Sequence, residues 1–194
     1  MTRLLLAEEL ALLAIGPGGR RPLGSRDVLN ACLAGLLLTE LQTPDHPHDS
    51  PTLAAVAAIA QERGPRLRPI LSAMDRQLTR HTGHGTWQLV TADFPNLEPA
   101  VRDELLQRLR DAVAEPASAD LRTAIVLAFT GPARLIEVVA PRRRTRRHMR
   151  RRIDHLLDGT PIEAVLGAVR KELADQHAAV TAAVVGGAVA SSCG

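Results

Sequence analysis

The chain has 194 residues, enough for one domain and its core but short for two of ordinary size. Hydrophobic residues make up 45%, almost all Leu, Ala, Val and Ile; Trp87, Phe94 and Phe129 are the only aromatics and tyrosine is absent, a set that favours packed helices over sheets. Its two cysteines, Cys32 and Cys193, exclude a disulfide framework, and the net charge of +3 is carried by one segment.

Leu4 to Ile15 is apolar nearly all round except for Glu8 and Glu9, which predicts a largely buried first helix. The same two acids interrupt any secretory leader, so none is expected. Gly16-Pro17-Gly18-Gly19 ends the helix, and Arg20-Arg21-Pro22-Leu23-Gly24 extends a turn-rich loop. Ser25 or Asp27 then caps a second helix through Leu41. Within it Ala31 and Gly35, four apart, leave a small-residue stripe where another helix can approach closely. This element is expected at the centre of the core.

Pro44 to Pro51 reads as a polar loop, followed by helices over Thr52 to Arg63 and Pro69 to His81. Trp87-Gln88-Leu89-Val90-Thr91 is the one strand signal, and Asp93-Phe94-Pro95 turns out of it, predicting a small β-hairpin or flap over Thr86 to Pro95. Helical spacing returns with Val101, Leu105, Leu109 and Val113. Asp120 caps a further helix to Thr130, a short one carries Leu135, Ile136 and Val139, and Met149, Ile153, Leu156 and Leu157 form the apolar side of the next. Thr160-Pro161-Ile162-Glu163 has the form of a capping box that opens the last helix, with Val165, Val169, Leu173, Val180 and Val184 on its buried side. The expected fold is therefore mostly α: one compact domain over 1–185, about eight to nine helices around buried central ones, with one small β-hairpin and a flexible tail at 186–194. No apolar stretch reaches the ~18 residues that span a bilayer, so a soluble, cytoplasmic protein is expected.

The strongest functional signal is basic. Arg142, Arg143, Arg144, Arg146, Arg147, Arg150, Arg151 and Arg152 fill eight of eleven consecutive positions. Of the 24 basic residues the other sixteen face 21 acidic ones, so the rest of the chain is near −5. Such a run needs an acidic partner: an anionic membrane, a nucleic acid, or carboxylates of the same or a neighbouring subunit. On an anionic bilayer each basic residue contributes ~1 kcal/mol, and five engaged arginines about 5 kcal/mol, enough for reversible attachment. Nucleic acid is the alternative partner, disfavoured by the near absence of aromatic stacking platforms. Arg20, Arg21 and Arg26 around the glycine-rich turn offer a second anion site, with an ordinary solvated loop as the plainer reading.

Other groups point to no chemistry of their own. Asp45-His46-Pro47-His48-Asp49 can present two imidazoles and two carboxylates to a metal, but lacks a helix-borne set to complete the site. Glu8 and Glu9 point about 100° apart on a helix, so they do not converge for acid–base work, and one of them is expected to cap or to salt-bridge within the core. Cys32 lies in an apolar helix and reads as packing. No cofactor and no enzymatic activity are expected.

With this layout in place, Leu4-Leu5-Leu6-Ala7-Glu8-Glu9-Leu10-Ala11-Leu12-Leu13 resembles the opening signature of the Golgi phosphoprotein 3 family, a leucine-flanked Glu-Glu pair. Gly35-Leu36-Leu37-Leu38-Thr39-Glu40-Leu41, Ala124-Ile125-Val126-Leu127-Ala128 and the Asp158 to Val185 region continue the resemblance. It implies a mostly helical domain with a protruding hairpin. It also implies a peripheral membrane adaptor that binds phosphoinositide head groups and client proteins, with homo-oligomers formed through the hairpin, here Trp87, Leu89 and Phe94. Arg68 corresponds to the first arginine of the family's head-group pair, while Leu71 stands at the second, Ser25 at the pocket's tryptophan and Ala34 at a further arginine. General anionic-surface binding is thus expected in place of the specific pocket, and the Arg- and Ala-rich composition suits a divergent bacterial member.

Overall fold

The computed structural model describes residues 4–15, 22–43, 50–64, 66–92, 94, 99–115 and 119–190, by backbone alone at 99, 180 and 182–190. Among the described residues there are ten helices: α1 Leu6–Ala14, α2 Arg26–Leu41, α3 Pro51–Arg63, α4 Leu67–Thr82, α5 Thr86–Val90, α6 Pro99–Ala114, α7 Leu121–Thr130, α8 Ile136–Val139, α9 Arg143–Leu157 and α10 Pro161–Ala190. The last four residues, including Cys193, lie outside the described part, and α10 is helical through Ala190.

Helix α2 is the hub. Val28, Leu29 and nearly everything from Ala31 to Glu40 are buried, and α1, α3, α4, α5 and α10 all pack on it. The small-residue stripe does what its spacing requires. A Cβ added at Gly35 would lie 2.6 Å from Val169 Cγ2 and 2.9 Å from Phe129 Cε1, so α10 and α7 reach α2 only because the side chain is missing. Helix α7 forms a second buried axis, enclosed from Thr123 to Thr130 and packed against α1, α6, α9 and α10. Asp120 starts it, its carboxylate accepting the Thr123 N–H at 2.6 Å.

The Glu-Glu pair divides as helix geometry demands. Glu8 turns back and accepts the Leu5 N–H at 2.7 Å, whereas Glu9 points inward. There its carboxylate accepts from Arg122 Nε at 2.9 Å and from Arg108. Arg122 also donates to Glu40 Oε1 at 3.0 Å and to the Leu4 carbonyl, and Glu40 Oε2 accepts the Leu6 N–H at 2.6 Å. Two carboxylates and two guanidiniums thus tie α1, α2, α6 and α7 together with balanced charge. Burial works against the charge on Arg122, but Glu9 and Glu40 outweigh it and hold the guanidinium above its ordinary value.

The expected β-hairpin is corrected by the structure. Thr86 to Val90 is a short helix, and the only β-bridge among the described residues joins Ile15 to Pro22. The cause is a cap that lies outside the segment: Asp75 Oδ1 on α4 accepts the Thr86 N–H at 2.7 Å, and Gln88 reaches back to the Gly85 N–H at 3.1 Å. Tertiary capping overrides the β-propensity of five residues. Trp87, Leu89 and Phe94 are half-buried against the core. The capping box at α10 also differs: the Thr160 hydroxyl donates to the Leu157 carbonyl at 2.6 Å, and Glu163 accepts from the Gly159 N–H at 3.1 Å.

Candidate functional site

The arginine run folds as α9, an exposed helix docked by one side. Met149, Ile153 and Leu157, at successive i+4 positions, are buried, and the helix packs on α7 and α6. At about 100° per residue, Arg143, Arg147 and Arg151 form a second row turned roughly 120° from the buried one, with Arg144 beside it. All four are exposed. Among the described residues none of the four makes an ion pair or a side-chain hydrogen bond. Arg146 is different. Its side chain is 18% exposed and it donates to Glu137 at 2.9 Å, anchoring the first turn of α9 to α8. The intramolecular salt-bridge reading of the run therefore fits Arg146 and not the outward four.

The placement works against helix stability. Arg142 occupies the N-cap without a side-chain cap bond, and the first turn contains no acidic residue. Arg143, Arg144 and Arg146 thus crowd the positive end of the helix dipole, where each cation costs about 0.3–1 kcal/mol. The same end presents uncapped backbone N–H groups. Guanidiniums and free N–H donors gathered on one exposed surface form an arrangement complementary to phosphate and carboxylate anions.

The remaining arginines do not join it. Arg26 is exposed at the start of α2, and Arg68 on α4 is paired with Asp175 of α10. Arg142, Arg150 and Arg152 are exposed on and beside α9, outside that row. Arg20 and Arg21, the loop half of the second anion site, lie outside the described residues, as does the Asp45 to Asp49 cluster. Among the described residues no group of three His, Cys, Asp or Glu side chains is placed to hold a metal. Cys32 is fully buried, and burial pushes its thiol up to about 12, which removes it as a nucleophile.

Two of the positions that the resemblance matches to a head-group pocket belong to the core. Ala34 and Leu71 are buried, at 1% and 5% exposure, and Ser25 is an exposed N-cap residue. A solvent-borne ligand meets neither of the first two. Sequence reading missed the Arg108 and Arg122 partners of Glu9. Arg122 follows the Asp120 cap as the one charge of an otherwise apolar helix, which was the available signal.

No helix among the described residues is long and apolar enough to cross a membrane. No curated protein and no solved structure matches the chain. The family profile for Golgi phosphoprotein 3 (GPP34) matches residues 42–176, well over half of the sequence and a stretch that contains α9 in full. The chain belongs to the Golgi phosphoprotein 3 family.

Proposed function

We propose that this protein is a peripheral membrane adaptor on the cytoplasmic side, binding anionic, phosphoinositide-like surfaces through α9. The observation that carries this reading is the exposed quartet Arg143, Arg144, Arg147 and Arg151, which has no carboxylate partner among the described residues and whose first two members stand at the uncapped positive end of α9. Four arginines near an anionic bilayer contribute roughly 4 kcal/mol, a Kd on the order of 1 mM. Contact of that strength is reversible, and a second contact or a second copy is needed for lasting attachment. The buried Ala34 and Leu71 favour recognition of surface charge over recognition of one head group. The protein acts by binding, presenting its other faces to clients.

Co-sedimentation with neutral and anionic vesicles tests the proposal. Binding is expected only to the anionic ones and should fall steeply with salt. Duplex DNA added as competitor addresses the other phosphate-rich partner: displacement from vesicles at equal phosphate concentration would shift the assignment to nucleic acid.

A further inference from the structure

Beside the arginine row, α9 forms one wall of a cleft of about 390 Å³, half open to solvent. Leu127 and Ala128 of α7, Met149 and Ile153 of α9 supply a buried apolar floor, and Pro132 and Ile136 close the side towards α8. Its rim is charged: Arg150 and Asp154 from α9 and Arg170 from α10. Asp154 and Arg170 approach only to 3.6 Å with both side chains more than half exposed, a loose pair of little energetic consequence. Two guanidiniums against one carboxylate leave the rim net positive.

We infer that this cleft takes a single acyl chain of an anionic lipid, with the chain on the Leu127, Met149 and Ile153 floor and the phosphate or carboxylate between Arg150 and Arg170. The volume is that of a small-molecule site. A polar ligand would strand its hydrogen-bonding groups on an apolar floor, and a neutral hydrocarbon would leave the two arginines unused. An amphiphile with one negative end satisfies both. Arg150 lies next to the Arg143–Arg147–Arg151 row on the helix, so a bilayer touched by that row would deliver lipid to the mouth. The inference rests on the membrane-surface reading for the source of the ligand, while the cleft chemistry stands apart from it.

Methionine methyl resonances separate the two. Met149 lines the cleft, whereas Met74 is fully buried in α4 and serves as an internal control. Dodecyl phosphate, titrated as monomer into protein carrying 13C-methyl methionine, should shift Met149 saturably and leave Met74 unchanged; inorganic phosphate should shift neither. Arg150→Glu with Arg170→Glu should raise the apparent Kd at least tenfold. Ala128→Leu, which fills the floor, should abolish the shift while vesicle co-sedimentation persists. Changing Arg143, Arg144, Arg147 and Arg151 to Gln should remove most vesicle binding and spare the Met149 shift. No saturable Met149 shift, or equal affinity for dodecyl phosphate and neutral dodecyl maltoside, overturns the cleft assignment. Vesicle binding lost in the wild type with the Met149 response intact would remove the surface reading and leave the cleft standing.

Discussion

Arg122 holds two buried carboxylates, Glu9 and Glu40, on different helices. Truncating it strands both charges, and breaking a buried pair costs about 3–5 kcal/mol. Arg122→Met should therefore lower the urea stability by an amount in that range; a loss under about 1 kcal/mol would mean that the carboxylates find water or Arg108 instead. Asp120 has a different signature. Partial burial raises its pKa, but the Thr123 N–H and hydroxyl together with Arg108 and Arg122 outweigh that and hold it below its usual 3.8. A depressed carboxylate contributes stability above its unfolded value, and that contribution is lost as pH falls through the folded value. Melting temperature should thus drop more steeply below pH 3.8 in the wild type than in Asp120→Asn, which keeps a good cap that does not titrate. The divergence of Glu8 and Glu9 was legible from helix geometry alone. Their partners were not, because Arg108 and Arg122 lie 99 and 113 positions from Glu9 and only the fold brings them back.

At the scale of elements, helices with a clear apolar period were readable from the sequence, and α7 begins and ends where Asp120 and Gly131 place it. Helix α5 was not, since Trp87 to Thr91 is rich in residues that favour strands and its decisive cap is Asp75 on another helix. Gly35 tests the packing of elements. Gly35→Ala pushes a methyl into Val169 and Phe129, and overpacking of this kind costs typically 1–3 kcal/mol, readable in a denaturant melt. A neutral effect would show that α2 and α10 separate without penalty. Helix α9 gives the opposite expectation. Arg143→Glu with Arg144→Glu should raise the melting temperature by relieving repulsion and favouring the dipole, by a few tenths of a kcal/mol or more per site, while weakening anion binding. A stability gain coupled to a binding loss would mark these arginines as kept for contact.

For the whole molecule, the ledger of charge is the organising fact. Away from α9 the acidic residues are in excess, and the buried ones are matched inside the fold by Arg108 and Arg122. The arginine run was visible in the sequence, but which of its members face outward required the helical phase set by Met149, Ile153 and Leu157. Arg146, equal to its neighbours in composition, turns out to be structural through Glu137. The cleft was invisible because its walls come from four helices and a turn spread over residues 127–170. The chain belongs to the Golgi phosphoprotein 3 family, matched over residues 42–176, and its outward arginines lie along one exposed side of α9.

The most direct test is co-sedimentation of the full chain with phosphatidylserine-containing vesicles, beside a variant with Arg143, Arg144, Arg147 and Arg151 changed to Gln. The wild type should bind and the variant should lose most of that binding, its fold intact by melting. Equal binding by both, or none by the wild type, would contradict the role given to α9.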